Sequence, residues 1–285
     1  MKKKIALVLE GGGMRGAYTA GALSWLIDEG IEFDNAYGIS TGAIHLCSFL
    51  MKNKKFLKDT STRYIADKKL IGLPSYLKEG QIVAYDTLFQ KTLIEKLHYD
   101  QGLKKIQEEK LSAKIGIYDL DKCETEYVPL SDLNMNILKA ACTLPAIGKV
   151  VKEKDRKLLD GGITKMIPIE ESVKDGNDAH IIITTKPDGY VRKPAKSIVV
   201  FLMSLIYLKH PQIGKDYKNR HLNYNEQIRM ITSLQKEGKA IYRNPSKTSS
   251  VSRLGGTPEQ LDELYQLGYQ DMEAIREEIY ALIHD

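Results

Sequence analysis

The chain has 285 residues, 42% of them hydrophobic and 28% charged, with a net charge of +5. That length suits one large α/β domain or a domain with an appendage, and the composition argues against a disordered chain. The longest apolar run, Ile198–Leu208, is too short to cross a hydrocarbon layer of about 30 Å, which argues against a membrane-spanning protein.

Lys2, Lys3 and Lys4 look like the head of a secretory leader, but the apolar stretch behind them, Ile5–Leu9, runs straight into Glu10 and three glycines. A leader needs about 7–15 apolar residues and a small-residue cleavage site. The segment therefore reads as a strand, and a cytoplasmic protein is expected. The three cysteines, Cys47, Cys123 and Cys142, are far apart and form no CxxC, so neither a disulfide framework nor a metal site is expected. A helix follows over Gly16–Glu29, ended by Gly30, then a short strand Ala36–Ile39 and a helix from Thr41 to about Met51. This order implies a parallel sheet with right-handed crossovers.

Positions 53–100 read as a helical, irregular insertion. Lys52, Lys54, Lys55, Lys58, Arg63, Lys68 and Lys69 there face only Asp59 and Asp67, whereas the chain from Glu259 is acidic. A basic face attracts anionic head groups or nucleic acid, but a solvated helix face is the plainer account, and nucleic acid is not expected as a partner. Ser112–Asp119 and Glu124–Val128 form a hairpin through Asp121 and Lys122. Leu133–Cys142 is a helix ending near Pro145. Lys149–Lys152 and Arg156–Leu159 make a second hairpin leading to Asp160-Gly161-Gly162, and His180–Thr185 is a buried strand. Ile198–Leu208 reads as a buried helix or strand, with a lipid-facing surface as the alternative. The last helix has Thr257 as N-cap, Pro258 in its first turn and Gln260 completing a capping box. The expected division is a catalytic α/β domain over 1–195, holding the insertion, and a mainly helical extension over 196–285 packed on it.

Gly38-Ile39-Ser40-Thr41-Gly42 fits G-x-S-x-G, a sharp strand-to-helix turn that exposes a serine hydroxyl at a helix N-terminus. Gly11-Gly12-Gly13-Met14-Arg15-Gly16 likewise follows a strand and opens a helix, so its N–H groups can receive an anion. Gly11, Gly13 and Gly16 also spell the dinucleotide fingerprint G-x-G-x-x-G. That reading wants an acid at the end of the second strand, yet Glu32 and Asp34 precede the strand, and Ser40 stands at its end. Arg15 can steady the loop or meet an anionic head group. Asp160, freed by Gly161 and Gly162, can reach into a site from a strand end.

Glu10–Gly16, Gly38–Gly42 and Asp160–Gly162 resemble, in order, the three signature blocks of the patatin-like phospholipases, and Leu144-Pro145 resembles the stretch ahead of the family's Asp-Gly-Gly. The likeness covers about residues 4–185. It implies an α/β fold of three layers, α/β/α, with a mostly parallel central sheet flanked by helices. It implies a Ser–Asp dyad without histidine: Ser40 attacks an ester carbonyl and Asp160 is its base. Gly11, Gly12, Gly13 and Met14 would supply oxyanion donors, supported by Arg15, Gly16, Gly38, Gly42, Gly161 and Gly162. It implies no metal or organic cofactor, and a lipid or other acyl-ester substrate, in the manner of phospholipase A or lysophospholipase. Lys52–Lys69 and Phe201–Leu208 are the stretches that could make transient contact with a membrane surface, and neither by itself marks an interfacial enzyme.

A free aspartate, with a pKa of about 3.9, is a poor base at neutral pH, so Asp160 should be sheltered from water within reach of Ser40. A Ser–His–Asp triad using His210 or His221 is the second mechanism. His45, five residues after Ser40, reads as pointing away from the turn, and His180 begins a strand. An idle scaffold that keeps the fold is a further reading. Head group, acyl position, chain length and oligomeric state carry no signature in the sequence.

Overall fold

β1 (Ile5–Leu9) is unbroken apolar chain, and such a strand must be covered on both faces. The computed structural model describes residues 3–109 and 112–284; Lys2 of the N-terminal lysines lies outside them. In chain order β1 is followed by α1 (Gly16–Asp28), β2 (Asn35–Ile39), α2 (Thr41–Leu50), α3 (Lys54–Lys58), α4 (Leu73–Glu79), α5 (Tyr99–Glu108), β3 (Ala113–Asp119), β4 (Glu124–Pro129), α6 (Met135–Cys142), β5 (Val151–Glu153), β6 (Arg156–Asp160), α7 (Ile169–Lys174), β7 (Ala179–Ile183), α8 (Ser197–Ile206), α9 (Gln212–Lys236), β8 (Ala240–Arg243), α10 (Pro258–Glu273) and α11 (Arg276–His284).

The strands form one sheet in the order β5-β6-β3-β2-β1-β7-β8, with β4 also on β3. The run β3-β2-β1-β7-β8 is parallel; β4 and β6 join β3 antiparallel, as β5 joins β6. Alternation along β1 divides the core. Ile5, Leu7 and Leu9 face α1, α2, α5, α6 and α10, while Ala6 and Val8 face α7 and α9. The expected three-layer α/β/α arrangement with a mostly parallel sheet is therefore the fold. α1 and α10 approach closely because Gly21 and Gly268 lack a Cβ: a methyl on either would run into the other helix's backbone, at Tyr265 and Tyr18.

One detail of register positions the site. Ile39 of β2 pairs with Gly116, and Asp160 of β6 pairs with the next residue, Ile117. Both residues of β3 also pair with β4, so β2 and β6 share the edge opposite β4. Running in opposite directions, β2 and β6 end head-on at adjacent rungs. The approach requires glycine: a methyl on Gly161 would stand 2.7 Å from Gly116 O, and one on Gly116 would run into Ile39.

The insertion is helical and irregular, as expected: short helices, two wide turns over 59–64 and 87–94, and an isolated bridge between Ile71 and Val83. The capping box at Thr257 and Gln260 is formed. Two expectations need correction. The stretch after 195 carries β8, which extends the same sheet beside β7, so the expected boundary falls inside one continuous sheet. The buried reading of Ile198–Leu208 is overturned: Met203 and Tyr207 are buried and Ser204 packs on Gly214, while Ile198, Phe201, Leu202, Leu205 and Ile206 are exposed.

Candidate active site

β2 ends at Ile39, opposite Gly116, and α2 begins at Thr41, so the residue between them takes up the whole change of direction. Ser40 does so with φ 56° and ψ −126°, a conformation that costs a side-chain-bearing residue about 1–3 kcal/mol. The flanking glycines make the turn possible. A methyl on Gly38 would lie 2.7 Å from Gly42 O, and one on Gly42 would lie 2.8 Å from Glu10 O. Cys142 Sγ donates to Ser40 O at 3.3 Å, tying the turn to the end of α6.

The glycine-rich loop lies against this turn. Thr41 Oγ1 donates to Gly13 O at 3.1 Å, and a methyl on Gly11 would be 2.8 Å from Ser40 Cβ. The expected set of four anion donors has to be reduced. Gly11 N–H donates to Met166 O at 3.2 Å and Met14 N–H to Arg253 O at 3.0 Å, so both are committed to holding the loop. Gly12 and Gly13 N–H have no partner among the described residues, and these two remain. Gly16 brings the loop down on α2: a methyl there would be 2.8 Å from His45 Cε1.

Asp160 ends β6, with its N–H held by Thr143 O at 3.0 Å. Its Oδ1 accepts from Gly162 N at 2.7 Å, while Oδ2 is buried with no hydrogen-bond partner. Burial raises its pKa above the ordinary carboxylate value, opposed first by the Ser40 hydroxyl, then by Gly162 N–H and more weakly by Arg220 and Arg253. The Ser40 hydroxyl is thus close enough to steady the carboxylate, but no aligned hydrogen bond to Oδ2 is made in this conformation.

Ser40 lies on the wall of two cavities. One is small and polar, lined by Gly11–Gly13, Asp160, Gly162, Arg220 and Arg253. The other is apolar, lined by Ile44 and Leu144 together with Ile65, Leu70, Val83 and Leu93 from the insertion. Sequence reasoning missed what the insertion builds, and it missed Arg220, Arg253 and Gly116. Only Arg253-Leu254-Gly255-Gly256 offered a signal, a cation ahead of a tight turn.

Asp34 bonds Ile5 N at 2.9 Å, at the start of β1, while the glycine-rich loop follows that strand's other end; Glu32 pairs with Lys52 at 2.9 Å. Neither acid reaches the loop as a dinucleotide site requires. His221 Nδ1 meets Lys218 O in its own helix and His210 lies 3.9 Å from Asp121; neither lines the cavities at Ser40. His45 does not point away as expected: it lines the apolar cavity beside Ser40, its pKa pushed down to about 3 by burial, with Nδ1 unpartnered.

A mixed α/β sheet with helices on both faces carries at its strand ends the three sequence blocks that resemble those of the patatin-like phospholipases. Residues 7–173 match the patatin-like phospholipase family, and the chain belongs to that family. Residues 210–283 match a domain of unknown function, DUF6363. The chain is 26% identical over 194 residues to the uncharacterized protein YjjU of Escherichia coli (strain K12), an alignment that covers 67% of this chain and 54% of that protein. Among solved structures, VipD from Legionella pneumophila aligns with a TM-score of 0.47 at 13% identity, covering 97% of this chain and 67% of that one.

Proposed function

We propose that the protein is a serine acyl-ester hydrolase acting on lipid esters, with Ser40 as nucleophile and Asp160 as its base. The head-on ends of β2 and β6 carry this reading: they bring a strained serine and a buried, half-satisfied carboxylate to one cavity. Ser40 Oγ attacks the ester carbonyl carbon as its proton passes to Asp160 Oδ2. The tetrahedral oxyanion is received by Gly12 and Gly13 N–H, each such donor being worth about 10²–10³ in rate. Collapse expels the alcohol, which takes the proton from Asp160. Water then attacks the acyl-serine and gives its proton to Asp160; collapse breaks the bond to Ser40 Oγ, which takes that proton back from Asp160, and the fatty acid leaves. Burial makes Asp160 a stronger base than a free carboxylate, as this step demands.

The apolar cavity suits the acyl chain, and the exposed apolar side chains of α8 suit contact with a lipid surface. No helix among the described residues is long and apolar enough to cross a membrane. Hydrolysis of p-nitrophenyl butyrate tests the reading: Ser40→Ala and Asp160→Asn should each abolish it, and His210→Ala and His221→Ala should leave it intact. Loss in either histidine variant with Asp160→Asn active would replace the dyad by a triad.

A further inference from the structure

Four cations that lie outside residues 7–173 converge on the glycine-rich loop. Arg220, on α9, donates through Nε to Gly162 O at 2.7 Å. A methyl on Gly162 would stand 2.9 Å from Asp160 Oδ1 and 3.6 Å from Arg220 Nη2, so both groups front the same small space. Arg253 holds Met14 through its carbonyl, and its Cγ would be 2.7 Å from a methyl on Gly13. Both arginines line the polar cavity with Ser40. Lys186 and Arg192 extend the group, and each of the four, like Arg15 in the loop, is close enough to another to feel its charge.

Among the described residues none of these cations has a carboxylate within ion-pair distance. Glu10 and Asp160 are the acids that face them, and Glu10 spends Oε2 on Thr185 N and Oγ1 at 2.5 and 2.8 Å. Arg220 is 7% exposed, and burial drives its guanidinium down to about 9; Arg15 Nε is buried with no acceptor. Buried unpaired charge opposes folding, so such a cluster persists where an anion from outside completes it.

We infer that Lys186, Arg192, Arg220 and Arg253 form a binding site for a phosphate-bearing head group and direct the enzyme to acyl esters whose head group is a net anion. The inference rests on the hydrolase reading above. In a glycerol ester the phosphate is only two or three carbons from the acyl oxygen, so an ester at Ser40 sets its phosphate beside Arg220 and Arg253. A choline or ethanolamine head group would be disfavoured. It brings a cation into a cationic site, and the aromatic faces that hold such groups are already taken: Lys186 lies 4.7 Å over Tyr190, Arg192 5.6 Å over Tyr224 and Arg220 5.3 Å over Tyr217. The domain of unknown function thereby acquires a role, because it supplies Arg220 and Arg253.

The test compares kcat/KM for 1-acyl-glycerol 3-phosphate and 1-acyl-glycerol 3-phosphocholine at matched acyl chain. The wild type should prefer the first by about tenfold or more, and Arg253→Gln and Lys186→Gln should each lower that ratio severalfold, through KM, with Arg253→Lys partly restoring it. A ratio near one, or equal losses on both substrates, would overturn the inference. A second arm needs no catalysis: sn-glycerol 3-phosphate should raise the Tm of Ser40→Ala protein, glycerophosphocholine should not, and Arg253→Gln should abolish the shift. Inorganic phosphate giving the same shift without any preference between the two lipids would mean a free-phosphate site and overturn the head-group assignment. If Ser40→Ala still hydrolyses esters while glycerol phosphate binds, the hydrolase reading fails and the anion site stands.

Discussion

The molecule holds two groups of positive charge that behave in opposite ways. Lys52, Lys54, Lys55 and Lys58 form a run that any reading of the sequence notices, and each meets an acid: Glu32, Asp28, Asp59 and Asp262, at 2.6 to 3.0 Å. Lys186, Arg192, Arg220 and Arg253 are scattered over residues 186–253 and have no carboxylate within ion-pair distance among the described residues, Glu10 and Asp160 acting on them only from farther off. Charges adjacent in sequence share a helical surface where water and opposite charges are at hand. Of the charges gathered by tertiary folding, Arg220 is buried and Lys186, Arg192 and Arg253 are half-buried, and a bound anion is what neutralises them. The functional charge in this protein is the kind that forms no run.

That contrast has weight only if the unpaired group surrounds a reacting centre. Asp160→Asn should therefore lower ester hydrolysis on the order of 10⁴-fold, and kcat/KM of the wild type should fall below an acid limb that lies above the ordinary carboxylate value. The same substitution should stabilise the fold. Because burial raises the folded pKa, the penalty is absent below the unfolded carboxylate value, grows as pH rises through the folded one, and is fully present above it. Thermal melts should show Asp160→Asn gaining on the wild type over that window, by on the order of 1 kcal/mol. No gain would mean that the carboxylate is better solvated than its burial implies.

Next in size is Gly12→Ala. Its methyl would lie 2.7 Å from the Thr185 side chain, so the loop must shift and the oxyanion donors with it; kcat should drop about 10²–10³-fold. Smaller is the pH response of the cation cluster. Burial holds Lys186 down at about 8, with Arg15, Arg253 and Arg192 lowering it further and Glu10 opposing them. KM for a phosphate-bearing ester should rise as pH passes about 8, severalfold at most, while KM for an uncharged ester stays flat. The smallest effect belongs to the paired group. Lys58→Ala, which breaks the half-exposed contact with Asp262, should leave hydrolysis unchanged and shift Tm by at most about 2–4 °C.

Local features of the fold were open to reading. β1 is a bare apolar run, the glycines around Ser40 announce a sharp turn, and Thr257 with Gln260 caps a helix by contacts three residues apart. The meeting of Ser40 and Asp160 follows from register along β3, where Gly116 matters as much as the motif glycines and has no local signal. β8 was hidden because Ala240–Arg243 is short and owes its strand to the open edge of β7. The exposed face of α8 was misread because an apolar run announces hydrophobicity and says nothing of which side finds a partner. Arg220 is one more cation on a polar helix until α9 docks beside Gly162.

The central claim is that Ser40 is an activated nucleophile with Asp160 as its base. A fluorophosphonate probe, whose phosphorus mimics the tetrahedral centre of acyl transfer, tests it by mass-spectrometric mapping of the adduct. The account predicts a single adduct on Ser40 in the wild type that is lost in Asp160→Asn. An adduct on another serine, or none on the folded protein, would contradict it.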